Sequence, residues 1–162
     1  VISGTQTGML KDLDAGHYSI VNSYDAQHNR VIAEGPVRPS SESLTHGVVY
    51  DLDAAIQVVL HVHSPDIWQK AAALKIPVTD PAAEYGTPAM AAEVRRLFLA
   101  SATGSSGIFS MGGHLDGIVS YGVSAGDAGS VLLQSLAAAL VDRRASGTRT
   151  RQQQESDSHG KW

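Results

Sequence analysis

The order of β-prone runs and helix-period segments predicts a mixed α/β domain. Three observations carry this reading: β-forming runs near Tyr18, Arg30 and Ala54, two cap-plus-proline pairs that open helices, and a glycine-flanked pair of runs toward the C-terminus. Helices and strands alternate too closely for an all-α or all-β chain.

Taken in order, Tyr18 to Val21 and Arg30 to Ala33 are short β-prone runs separated by the polar stretch Asp25-Ala26-Gln27-His28-Asn29, which suits a hairpin turn. The domain therefore opens with antiparallel pairing. After Gly35-Pro36 comes Pro39-Ser40-Ser41-Glu42, where a serine can cap a helix whose apolar positions Leu44, Val48, Val49, Leu52 and Ala55 recur at helical spacing. Glu42 is expected in its first turn. Ala54 to Leu60 is the most apolar β-like run, closed by His61-Val62-His63. Ser64-Pro65 is a cap followed by an N1 proline and predicts a helix through Trp68 and Ala71 to Leu74. Ile76 to Thr79 is expected as another short strand. Thr87-Pro88 repeats the cap signature ahead of a helix with Met90, Val94, Leu97 and Phe98 on one face. Gly107 to Met111 and Gly117 to Tyr121 form the strand pair around Gly112-Gly113-His114, and Ser124 can cap a last helix through Val131, Leu132, Leu136 and Leu140. The domain is expected over 1–144. The polar, Gln-rich stretch 145–162 has no apolar period and reads as a disordered tail.

Composition narrows the function. A chain of 162 residues fits one domain with a real core. The net charge of -4, with acidic residues scattered, gives no support to nucleic-acid or anionic-membrane binding, so a small-molecule partner is expected. There is no cysteine, which excludes disulfides, thiolate metal sites and cysteine nucleophiles and suits a cytoplasmic protein. No apolar stretch reaches the roughly 20 residues of a membrane span, and Val1-Ile2-Ser3-Gly4 lacks the pattern of a signal peptide. A start without methionine, directly in a strand, suggests a non-standard start or a lost N-terminal segment.

His61 and His63 are the candidate metal ligands. Side chains alternate faces along a strand, so residues two apart project from the same side and can reach one divalent cation. The competing reading is two ordinary polar residues on a solvated strand face. Neighbouring residues set several metal-site families aside. A cupin needs a glutamate soon after the second histidine, where Asp66, Ile67, Trp68 and Gln69 stand, and a metallo-β-lactamase needs aspartate-histidine where Pro65 and Asp66 stand. An amidohydrolase barrel needs a longer chain.

Three motifs in order do fit one family. Pro39-Ser40-Ser41-Glu42 with His46 four residues on, then His61-Val62-His63, then a glycine-rich strand pair carrying His114, resembles the class II aldolase/adducin family, whose sugar-phosphate members include fuculose-1-phosphate aldolase. The resemblance runs from about Ile2 to Leu140 and takes in Ile2-Ser3-Gly4-Thr5-Gln6-Thr7-Gly8 and Glu84-Tyr85-Gly86-Thr87. It implies a three-layer α/β/α sandwich around a mainly antiparallel central sheet, and a homotetramer with its site between subunits. It also implies Zn2+ or another divalent cation on His61, His63 and His114, Glu42 as catalytic acid/base, and substrate or phosphate contacts at Thr7, Gly8, Ser40 and Ser41. The reaction implied is a lyase step beside the carbonyl of a small sugar-like hydroxy-carbonyl compound. Charge developing there suits a Lewis acid, and a carboxyl raised by apolar surroundings suits proton transfer.

The chain departs from the family at three places. It starts after the family's N-terminal helix and Gly-Asn-x-Ser segment. Asp116, not a histidine, precedes Gly117, leaving His114 and Asp116 as alternative third ligands, of which the imidazole is preferred. The family's proton-donating tyrosine has no counterpart in Ile76 to Ala83, and Tyr85 is the nearest phenol. His46 can orient Glu42 or serve structurally, His17 and His28 read as loop residues, and Trp68 as a packing residue. Alternative functions are a dehydratase, epimerase or decarboxylase on the same scaffold, or a non-catalytic adducin-like binding domain.

Overall fold

The computed structural model describes residues 1–100 and 104–158, with 142–158 described as backbone only. Among these residues the strands form two small antiparallel sheets, accompanied by four α-helices.

The N-terminal sheet has the order β1-β2-β3, with β1 at Ile2–Ser3, β2 at Tyr18–Asp25 and β3 at Arg30–Glu34. The expected hairpin is present. Asp25 pairs with Arg30, and the Asp25 Oδ1 accepts from the N–H groups of Gln27 and His28, which closes the turn. Asn29 takes a positive φ of 50°, a conformation asparagine tolerates. His28 and His17 bind the nearby carboxylates of Asp25 and Asp14 at exposed turns, consistent with loop roles.

Helix α1 runs Ser43–Leu52 and stops earlier than the apolar period suggests. Asp53 is extended and its Oδ1 accepts from the Ala55 N–H, a local bond that competes with another helical turn and leaves Ala55 outside. Glu42 is thus the N-cap residue of α1 rather than a first-turn residue. Strand β4 is Val58–His63, shorter than the apolar run because Ala54 lies in this turn. Ser64 Oγ accepts from Ile67 N–H and caps α2 at Pro65–Lys70, and Thr87 Oγ1 accepts from Met90 N–H ahead of α3 at Pro88–Ala100. Both serine/threonine-proline signals mark true helix starts. Ile76 to Thr79 is not a strand: it makes a single parallel bridge, Val78 to Ser110, beside Pro77, which has no N–H to extend a ladder.

The second sheet has the order β4-β6-β5, with β5 at Gly107–Ser110 and β6 at Gly117–Gly122. Alternation on β6 divides the core. Val119 and Tyr121 belong to the larger cluster with Val48, Val49, Met90 and Val94 of α1 and α3. Ile118 faces the other way, into a cluster with Ile67 of α2 and Ala139 of the last helix. Trp68 packs against that second cluster and donates Nε1–H to the Met111 carbonyl at 2.9 Å, as a packing residue should.

The last helix, α4, spans Ala125–Ser158, with Ser124 Oγ accepting from Asp127 N–H at its start. Leu132 and Leu136 pack inward, whereas Leu140 is exposed. Of the stretch 145–162, expected as a disordered tail, 145–158 are described with helical backbone continuing α4, and 159–162 lie outside the described residues. Arg, Gln, Glu and Ala are good helix formers without any apolar stripe, and an apolar period is the signal the tail lacks. Among the described residues no helix is long and apolar enough to cross a membrane.

Two loops meet at Gly113. A Cβ added there would fall 1.9 Å from the Ala83 carbonyl oxygen, and Glu84 bridges Gly113 in parallel. Backbone lies against backbone, so neither side can yield easily. Gly113→Ala is expected to destabilise the chain by about 1–3 kcal/mol as an overpacking change. Thermal unfolding of the metal-free protein measures this, at roughly 2–4 °C per kcal/mol for a chain of this size; an unchanged midpoint would refute the tight approach.

Candidate metal centre

Strand register brings the first two imidazoles together. His61 lies opposite Val119 and His63 opposite Gly117 on the β4–β6 ladder, so both share the face of Val59, Val119 and Tyr121. The rings are 5.1 Å apart between centroids. His114 enters from the turn between β5 and β6, where its N–H bonds the Met111 carbonyl and its carbonyl accepts from Gly117 N–H. Its ring lies 5.1 Å from His61 and 4.7 Å from His63.

One nitrogen from each of His61, His63 and His114 falls within 4.8 Å of the others, a set that could hold a metal ion. Nitrogens sharing one tetrahedral ion at bonds near 2.1 Å lie roughly 3.4 Å apart, so small ring rotations suffice to close the set. Asp116 is not in this set. It sits at φ 61° in the turn, and its carbonyl accepts from Ser64 N–H.

His61 is the best-anchored of the three. Its Nδ1 is 3.2 Å from the Ile118 carbonyl, and the tautomer that donates this bond leaves Nε2 free to coordinate. Burial, then the neighbouring histidines, holds its pKa down to about 4, so the ring is neutral, as a ligand must be. His114 is shifted down as well, by burial and by His63.

Glu42 reaches the cluster from the start of α1. It is 2 % exposed, and its Oε2 accepts a 2.9 Å bond from the Thr45 hydroxyl. Its other oxygen, Oε1, has no hydrogen-bond partner among the described residues and faces His114 Nδ1 at 3.7 Å, which also lacks one. Two orphaned polar atoms this close are what a shared cation, water or substrate would satisfy. Burial raises the Glu42 pKa, and the Thr45 bond opposes this only in part. Its side chain does not cap α1; the Glu42 N–H instead bonds Ser40 Oγ.

The proposed phosphate residues are less convergent. Gly4 bridges Pro39 and Ser40 N–H bonds the Ser3 carbonyl, which lays the Thr7 segment beside the serines. Yet Thr7 Oγ1 donates to the Gly4 carbonyl and Ser40 Oγ is taken by Glu42, leaving the exposed Ser41 as the hydroxyl without such a bond; Gly8 is exposed with open space around it.

Sequence reasoning missed Thr45 and gave Tyr85 too little weight. Thr45 follows Glu42 by three residues, a spacing that places its hydroxyl over the carboxylate. Tyr85 stacks on His114 at 4.2 Å and 23°, across a separation in sequence that no local pattern reveals. His46 does not bond Glu42 through its side chain; it lines a groove with Tyr24, Tyr50 and Asp51, and burial takes its pKa down to about 4.

Two stability effects follow. Glu42→Gln removes a desolvated carboxylate and should raise the unfolding midpoint of the metal-free protein at pH 7 by a few degrees, since about 1 kcal/mol is worth roughly 2–4 °C here; a lower midpoint would contradict the burial cost. For His46 the folded pKa of about 4 lies below the ordinary imidazole value of 6.5, so the unfolded chain takes up a proton that the folded chain refuses. Its contribution is complete above about pH 6.5 and is lost as pH falls toward 4. Urea unfolding between pH 7 and 4.5 should therefore show a decline that is shallower in His46→Gln, and equal slopes would refute it.

Residues 5–133 match the family described as Class II Aldolase and Adducin N-terminal domain. No curated protein and no solved structure matches the chain. The match covers well over half of the sequence and contains every residue of the cluster, so the chain belongs to the class II aldolase and adducin N-terminal domain family.

Proposed function

We propose that the chain is a metal-dependent lyase of the aldol type, acting beside the carbonyl of a small hydroxy-carbonyl compound, with His61, His63 and His114 as ligands, zinc as the ion and Glu42 as acid/base. The supporting observation is the buried, half-satisfied Glu42 carboxyl set against three convergent imidazoles. A divalent cation held there would supply Lewis-acid polarisation of the substrate's carbonyl oxygen.

The chain's own residues would do the rest. Thr45 pins Glu42 Oε2 and leaves Oε1 as the oxygen that moves the proton. With its pKa raised by burial, Glu42 can hold a proton nearer neutral pH and deliver it to the carbon left electron-rich when the carbon-carbon bond opens, while the hydroxyl that becomes the departing carbonyl gives its proton to water; in the reverse direction both protons are returned. The Ile118 carbonyl keeps His61 in one tautomer. Ser41, with Ser40, Thr7 and Gly8 behind it, is the proposed contact for a polar or phosphorylated end of the substrate. A homotetramer with the site at a subunit boundary, a three-layer α/β/α arrangement and a cytoplasmic location go with this reading as expectations of the family and composition. The adducin-type, non-catalytic reading is disfavoured because it gives three convergent imidazoles and a buried, half-satisfied carboxyl no task.

Metal analysis and turnover test the proposal together. Purified protein should carry close to one divalent ion per chain, and His61→Ala should lose it. Glu42→Gln should keep the ion while cleavage of hydroxy-carbonyl substrates falls roughly 100- to 10,000-fold. Substoichiometric metal that His61→Ala does not change would remove the metalloenzyme reading, and normal turnover in Glu42→Gln would remove the acid/base role.

A further inference from the structure

The three imidazoles are not held equally. His61 and His63 are fixed by a strand, and His61 also by the Ile118 carbonyl. His114 sits in a turn, and its buried Nδ1 has no hydrogen-bond partner among the described residues. A ligating histidine ordinarily has its other nitrogen tied to a carbonyl or carboxylate, and removing such a tie weakens metal binding. The Glu42 Oε1 faces that nitrogen at 3.7 Å, beyond hydrogen-bond reach, and what holds the His114 ring is another ring: Tyr85 lies over it at 4.2 Å, 23° from parallel.

The loop bearing Tyr85 is built to hold that ring in place. On one side Ala83 and Glu84 press against Gly113, where no Cβ fits. On the other, Gly86 has φ 67°, and a Cβ there would come to 3.1 Å from the Ser41 carbonyl oxygen. Thr87 Oγ1 donates to the Glu84 carbonyl at 2.6 Å and closes the turn around Tyr85. Both anchors belong to the site, one next to His114 and the other next to Glu42. Tyr85 is nevertheless half-exposed, so it contributes little to the core and its ring lies over the cluster's outer side.

We infer that Tyr85 is a positioning residue for the metal centre: its aromatic face, not its hydroxyl, fixes the ring orientation of His114 in place of a hydrogen bond. This rests on the metal-site reading proposed above. An offset aromatic pair is worth about 0.5–1.5 kcal/mol, which corresponds to roughly a 2- to 12-fold change in affinity.

The test compares the wild type, Tyr85→Phe and Tyr85→Ala without reference to turnover. Zinc affinity is measured by competition with a chromophoric chelator, and the visible absorption of the cobalt(II)-loaded proteins reports ligand geometry. Tyr85→Ala should bind zinc roughly 2- to 12-fold more weakly and show altered cobalt bands, while Tyr85→Phe matches the wild type in both. Metal-free Tyr85→Ala should unfold within a few degrees of the wild type, as loss of one aromatic pair allows, separating positioning from a folding defect; a drop well beyond that would make Tyr85 structural and overturn the inference. Equal affinity and identical spectra in Tyr85→Ala would overturn it while leaving the metal site standing. A Phe variant that behaves like Ala would assign the effect to the hydroxyl and overturn it also. A wild type that binds neither ion would remove the metal reading and this inference with it.

Discussion

The pairing register of β4 against β6 is the constraint on which the site depends. Val59 opposite Tyr121, His61 opposite Val119 and His63 opposite Gly117 place two imidazoles in line with the apolar face covered by α1 and α3. A slip of one residue would turn both rings toward α2 and α4 and bring Val62 to the face they leave, since the side-chain period of a strand is two. Core and site therefore enforce the same register. The burial of Val59 and Val119 that stabilises the sheet also fixes where the histidines point. Gly117 matters in the same way, because a Cβ there would meet the His114 ring and carbonyl at about 3 Å.

Placing Glu42 at the head of α1 gives it two opposing influences. The free N–H groups of a helix start favour a carboxylate, whereas near-complete burial favours the neutral acid. Its carboxyl makes no cap bond and is shielded by the core, so burial prevails and the pKa moves up. A carboxyl left with one unsatisfied oxygen is costly by about 1–3 kcal/mol for folding. Under the proposed acid/base role, the same arrangement keeps it available for proton transfer.

Signals that reside in adjacent residues were legible in the sequence. The caps at Ser64, Thr87 and Ser124, the hairpin at Asp25 to Asn29 and the shared face of His61 and His63 each follow from local hydrogen bonding or alternation, and each is present. The site's family resemblance was readable because its motifs keep their order along the chain. What was not legible depends on tertiary contact or on competition between nearby bonds. Asp53 ends α1 through its own side chain, Pro77 denies Ile76 to Thr79 a ladder, and the stack of Tyr85 on His114 joins two loops. The helical backbone described for 145–158 has no such local signal, since propensity without an amphipathic period marks no buried face.

Orphaned polar atoms alone would be a weak reason to assign chemistry to the centre, and Ser120 shows why. Its buried hydroxyl also lacks a partner among the described residues, yet it lies on the opposite face of β6 from His61 and His63, between Leu60 and Ile108 on the neighbouring strands, with no titratable group on those paired positions. A lone hydroxyl costs little enough for a fold to carry without purpose. The Glu42 cluster differs in kind. It gathers an acid and three imidazoles from four separate places, the head of α1, two positions on β4 and the β5–β6 turn, and leaves unsatisfied atoms of the acid and of one imidazole facing each other. A buried acid and two partly buried imidazoles converge with an exposed third, and the unsatisfied atoms facing each other are ones that a shared ligand would satisfy together. That convergence, more than membership of a family with both enzymatic and structural branches, is the ground for reading the centre as a working site.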